Sequence, residues 1–204
     1  MMRTPQYWQS ALEHIRAVDP ILGPITIQYE DPPLTSKDRP FETLCNAIIG
    51  QQISAKAAEA VWLRAGKEVG HWTPKCVQRV SVESLRSSGL SRRKVEYLKG
   101  VADLWHELPH ASFESLTDDE LRTTLCRVRG IGPWSANMLL IFSYLRPDIF
   151  PIKDIGVLRA IETLYGIHRK DVDNIERTAE LWRPYRTVAA WYLWRYIDSE
   201  PVLY

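Results

Sequence analysis

The chain has 204 residues, 45% of them apolar, and a net charge of +1: enough to bury a core in one domain or two small lobes, and too balanced to coat a polyanion by bulk electrostatics. It contains no apolar run approaching the roughly 18 residues of a membrane span, and the N-terminal MMRTPQYWQS lacks the apolar centre of a secretory signal. Cys45, Cys76 and Cys126 are scattered without metal-ligand spacing, so reduced thiols of an intracellular protein are expected, with no iron–sulfur cluster.

Tyr7, Trp8, Leu12, Ile15 and Val18 recur at helical spacing and predict an amphipathic first helix that stops at Pro20. Residues 25–29, Ile-Thr-Ile-Gln-Tyr, alternate and form the strand-like piece of the sequence. The polar stretch 31–40 holds three prolines and reads as a linker or lobe crossing. Helices are then predicted over 41–50, 54–69, 81–88, 91–107, 117–126, 133–145, 154–165, 174–182 and 185–197. Gly89 and Ser91 mark a stop and a start, a glycine closing one helix and a serine capping the next. The fold class is all-α.

The densest local signal is RVRGIGPWSANMLLIFSYLRPDIFPIKD, from Arg127 to Asp154. Gly130 and Gly132 allow a sharp turn and close approach by another molecule. Pro133 suits the first position of a helix, whose free N–H groups and positive dipole end attract an anion such as a phosphate. A helix, a glycine hairpin and a second helix in this order can grip a nucleic-acid backbone without reading its sequence. Arg122, Arg127 and Arg129 crowd the turn, and Arg86, Arg92, Arg93, Lys94 and Lys99 form a second basic cluster that also reads as a solvated helix face.

Asp154 carries two compatible readings. It can cap the helix that follows, and a carboxylate fixed there also stabilises a cationic transition state. Trp134, in the first turn after Gly132, can be a core aromatic or a flat surface that stacks on an extruded base; a cationic base would add a cation–π attraction of about 0.5–2 kcal/mol. Trp191, Tyr192, Trp194 and Tyr196 crowd the last predicted helix, at spacing that also suits a core. Gly50-Gln51-Gln52-Ile53-Ser54 is either a plain connection or a tight turn whose glutamine enters a base stack.

Five blocks in order carry a resemblance to the helix-hairpin-helix DNA glycosylase superfamily, and within it to the 3-methyladenine DNA glycosylase II branch: IIGQQIS at 48–54, GLSRRKVEYLKGVADL at 89–104, RGIGPWSANMLL at 129–140, FPIKDIGVLRA at 150–160 and WRPYRTVAAWYLWR at 182–195. The resemblance implies a two-lobed helical fold with a DNA-binding cleft between the lobes. Residues 41–149 would carry the wedge loop and the hairpin, and 1–40 with 150–204 would form the second lobe. Position by position it implies that Asp154 is the essential aspartate and that Trp134 and Trp194 wall the base pocket. Gln52 is then the wedge that fills the vacated stack, and Gly130, Ile131, Gly132 and Ser135 meet the DNA. It also implies that the carbonyls of Arg127, Arg129 and Ile131 can hold a structural Na+ or K+, with no other cofactor required.

Relatives that cleave the strand carry a catalytic lysine where this chain has Trp134, so a monofunctional enzyme is expected. Its expected activity is excision of alkylated, cationic purines such as 3-methyladenine and 7-methylguanine from double-stranded DNA, as a monomer, in cytoplasm or nucleus according to source. Two other readings stay open: a non-catalytic helix-hairpin-helix module that binds damage, and a bifunctional lyase.

Overall fold

A computed structural model describes residues 3–108, 113 and 115–198. Twelve α-helices occur among them: α1 (Trp8–Val18), α2 (Leu22–Gln28), α3 (Pro40–Gly50), α4 (Ala55–Val69), α5 (Pro74–Arg79), α6 (Val82–Ser87), α7 (Arg92–Leu104), α8 (Asp118–Cys126), α9 (Pro133–Phe142), α10 (Ile155–Tyr165), α11 (Val172–Glu180) and α12 (Arg186–Ile197). A single 3-10 turn over Trp105–Glu107 continues α7. No strand is formed among the described residues; one isolated antiparallel bridge joins Arg3 to Ser36.

The chain divides into two compact units, residues 39–144 and residues 1–38 with 145–203. In the first, α3 and α9 are the buried pair. Phe41, Leu44, Ala47, Ile48 and Ile49 of α3 and Ala136 to Phe142 of α9, Asn137 excepted, are buried. Helices apolar on nearly every face belong in an interior. One buried polar bond joins the two helices, the Ser143 hydroxyl at the end of α9 donating to Thr43 Oγ1 of α3 at 2.8 Å. Around them pack α4, α7 and α8, with α5 and α6 between α4 and α7.

In the second unit α12 is the central helix, buried from Thr187 to Leu193 against α1, α2 and α10. A buried carboxylate knots this unit together. Asp19 Oδ1 accepts from the N–H groups of Ile21 and Leu22, and Oδ2 accepts from Tyr165 Oη and Trp182 Nε1, both at 2.7 Å.

The strand expected at 25–29 is helix α2. Its alternation was a poor guide, because burial falls on Leu22, Gly23, Ile25 and Thr26, spaced three and four apart, while Ile27 is 63% exposed. Asp19 supplies the cap that starts it. The helix α5 was not anticipated, although Thr73 accepts from Cys76 N and Pro74 takes the first helical position. The predicted 91–107 helix tightens to 3-10 geometry after Leu104, and the predicted 133–145 helix ends at Phe142. The second division of the chain falls at Tyr144/Leu145 rather than after 149. The Tyr7 hydroxyl donates to Leu145 O and Asp148 pairs with Arg186 at 2.6 Å, tying this stretch to α1 and α12.

Candidate active site and nucleic-acid interface

In the unit formed by residues 39–144, the hairpin is built by two well-defined helix ends. Thr117 and Glu120 form a reciprocal capping box at the start of α8, so the helix begins at a fixed residue. Its last turn is closed by Val128 N–H to Leu125 O, and the chain reverses through Ile131 N–H to Val128 O, both 3.0 Å. Gly130 sits at φ +98°, and a Cβ there would run into the Tyr97 ring. Glycine is required twice over at this position, by conformation and by space. Gly132 differs. It caps α9 at φ −99°, a backbone any residue adopts, and a Cβ would meet nothing within 4 Å. The fold has no use for its missing side chain, whereas a molecule approaching the helix end would.

Pro133 opens α9, and the first-turn N–H groups that follow have no carbonyl of their own helix to bind. Ile131 is buried, and Ser135 is 1% exposed. Among the described residues the carbonyls of Val128 and Gly130 are engaged, by Ile131 N–H and by Gln51, while those of Arg127, Arg129 and Ile131 accept no hydrogen bond. Neutral oxygens alone suit a hard, weakly charged cation rather than a transition metal. No three His, Cys, Asp or Glu side chains gather as metal ligands among the described residues. Arg129 is exposed beside Glu96, and Arg122 is held by Asn137 Oδ1 at 3.0 Å.

Next to the hairpin is the turn between α3 and α4. Ile53 N–H reaches Gly50 O at 3.4 Å, Gln51 lies at φ −52°, ψ 127° and Gln52 at φ +59°. These are the angles of a type II turn, with Gln52 exposed in the left-handed corner. Sequence reasoning singled out Gln52 and passed over its neighbour. Gln51 Nε2 donates to Gly130 O at 2.9 Å and to Ser135 Oγ at 2.8 Å. Lys94 Nζ donates to Ile49 O at 2.6 Å, and burial lowers its pKa. Trp134 is half-buried, its ring edge 3.9 Å from the position a Cβ on Gly50 would take.

In the unit containing residues 145–198, Asp154 follows the Pro151 turn and caps α10: its Oδ1 accepts from Val157 N–H at 3.0 Å. The same oxygen accepts from Trp194 Nε1 at 2.8 Å. Gly156 makes this possible, since a Cβ there would stand 3.0 Å from Trp194 Cδ1 and 3.1 Å from Asp154 Oδ1. Trp191 and Tyr192 are core residues of α12, whereas Trp194 is partly exposed. Lys153 is exposed.

The model of the HhH-GPD superfamily of base excision DNA repair proteins matches residues 45–184. The chain belongs to this superfamily. The matched span takes in the α3–α4 turn, the hairpin and Asp154, and ends before Trp194. A similar protein from Schizosaccharomyces pombe, DNA-3-methyladenine glycosylase 1, is 33% identical over 166 residues, 78% of this chain and 73% of that protein. Among solved structures, the S. pombe 3-methyladenine DNA glycosylase in complex with abasic DNA has a TM-score of 0.81 at 30% identity, covering 91% of this chain and 95% of that one. DNA-3-methyladenine glycosidase from Bacillus halodurans has a TM-score of 0.75 at 30% identity, covering 100% and 96%.

Proposed function

We propose that the chain is a monofunctional DNA glycosylase of the 3-methyladenine type II kind, releasing alkylated cationic purines such as 3-methyladenine and 7-methylguanine from duplex DNA. The observation that carries the reading is Asp154, a carboxylate fixed at a helix start by one backbone and one indole N–H. The names of the similar proteins from S. pombe and B. halodurans support the substrate class.

The DNA backbone sits on the hairpin, where the α9 N–H groups and the open side of Gly132 receive a phosphate. Backbone carbonyls of Arg127, Arg129 and Ile131 would hold a monovalent cation there, and such an ion would add positive charge beside the phosphate. The damaged nucleotide leaves the stack at a cost of a few kcal/mol, least for a weakened pair, and Gln52 fills the gap. The extruded base stacks on an aromatic face, a role open to Trp134 in one unit and to Trp194 in the other. The bond from C1′ to the base nitrogen then breaks, its electron pair going to the base and cancelling the positive charge. The electron-poor sugar that remains is stabilised by the Asp154 carboxylate. Water adds to C1′ and gives up a proton, leaving a free base and an abasic site. Position 134 is tryptophan, so no amine stands there to form a Schiff base and cut the strand.

Chromatography of bases released from methylated duplex DNA, with borohydride trapping in parallel, tests this. Free 3-methyladenine or 7-methylguanine without a covalent adduct is the expected result. A trapped protein–DNA adduct would overturn the monofunctional assignment, and binding without release would point to a damage-binding module.

A further inference from the structure

We propose that Gln51 is a positioning residue that sets where Gln52 stands relative to the phosphate grip of the hairpin. The inference rests on the reading of the chain as a base-flipping glycosylase and names a residue that reading does not use. The Gln51 amide nitrogen carries two hydrogens, and both are spent across a long stretch of chain, on Gly130 O and Ser135 Oγ. The orientation of the amide is settled by chemistry, because a backbone carbonyl only accepts and must face the NH2 end. Leucine and methionine could donate neither bond, and glutamate could at most accept from the Ser135 hydroxyl while turning a second acceptor towards Gly130 O.

The geometry gives the clamp a task. Gln52 occupies the left-handed region, which a residue with a Cβ enters only at a cost of about 1–2 kcal/mol. Such conformations persist where the surroundings over-determine them. Here the turn is held from three sides. Lys94 binds the carbonyl of Ile49 just before it, Ser54 caps α4 just after it by accepting from Ala57 N–H, and Gln51 ties its middle to the hairpin. The hairpin is braced in turn by Tyr97, one turn along α7 from Lys94, packed over Gly130. A phosphate bound at the α9 end therefore meets a rigid body that already includes the Gln52 turn. Without Gln51 the turn keeps its ends but loses its register to the hairpin.

A double-mutant cycle separates positioning from simple structural support. Single-turnover release of 3-methyladenine from methylated duplex is measured for wild type, Gln51→Met, Gln52→Ala and the double variant. Loss of two hydrogen bonds predicts that Gln51→Met falls roughly ten- to thirtyfold. If Gln51 acts by placing Gln52, the double variant matches Gln52→Ala to within about twofold, since residues acting through one another are not additive. Losses that multiply would overturn the inference, as would unchanged excision by Gln52→Ala. Should Gln51→Met melt below the assay temperature, Ser135→Ala removes one acceptor while keeping Gln51, and the same non-additivity with Gln52→Ala is expected. A wild type that releases no base defeats the glycosylase reading and this inference with it, whereas multiplying losses defeat this inference alone.

Discussion

Trp194 donates its indole N–H to the same oxygen of Asp154 that caps α10, at 2.8 Å. A residue expected from the sequence to wall a base pocket thus also orients the carboxylate at the centre of the proposed chemistry. Two donors on one oxygen fix the carboxylate plane, and Gly156 leaves the room for the indole to reach it.

Trp194→Phe keeps an aromatic face and deletes the donor. A hydrogen bond to a charged group contributes about 1.5–3 kcal/mol, so excision by this variant should fall roughly ten- to a hundredfold with affinity for duplex DNA retained. Single-turnover excision and fluorescence anisotropy on the same duplex check it. Excision at the wild-type rate would leave Trp194 a stacking surface only.

The two hairpin glycines should respond differently. Gly130→Ala places a Cβ against Tyr97 at positive φ and is expected to destabilise the protein by at least about 1–2 kcal/mol, read as a lower urea midpoint. Gly132→Ala meets open space, so its midpoint should stay near wild type while the dissociation constant for duplex DNA rises severalfold. A Gly132→Ala variant with unchanged DNA affinity would argue that no phosphate sits at that helix end.

Much of this was legible in the sequence because the signals are local. Gly130 and Pro133 specify a turn and a helix start within four residues, and Ser54, Ser91 and Asp154 each cap the helix they precede. The α2 helix was not legible, since the Ile25–Tyr29 alternation is short and the helix depends on a cap from Asp19 and on burial against α1 and α12. Nor was the difference in placement between Gln51 and Gln52. The two are chemically identical neighbours, and what distinguishes them is a contact 79 residues away. The Trp194 bond to Asp154 is hidden for the same reason, spanning 40 residues.

The buried tyrosines predict an alkaline limit. Burial pushes the Tyr192 phenol from 10.0 up to about 12, with Arg16 and Arg195 opposing and Glu30 and Asp31 adding to the rise. Tyr165 is raised further by burial and by its bond to Asp19. Between pH 10 and 12 the folded chain keeps a Tyr192 proton that the unfolded chain sheds. Stability therefore falls as pH climbs through that window. The Tyr192 hydroxyl is buried with no hydrogen-bond partner among the described residues, so Tyr192→Phe should be neutral or slightly stabilising at pH 7 and should shallow the alkaline fall. Urea unfolding from pH 7 to 11.5 tests both, and parallel curves for the two proteins would contradict the assignment.

The most direct test of the central claim is Asp154→Asn, assayed for base release from methylated duplex and for binding to duplex containing an abasic site. Asparagine keeps an oxygen that can accept from Val157 N–H and Trp194 Nε1, so the cap survives while the charge is lost and the second oxygen becomes an NH2 donor. Excision should disappear while affinity for the abasic duplex stays intact or improves. Excision at the wild-type rate, or loss of binding in step with loss of activity, would instead make Asp154 a structural cap.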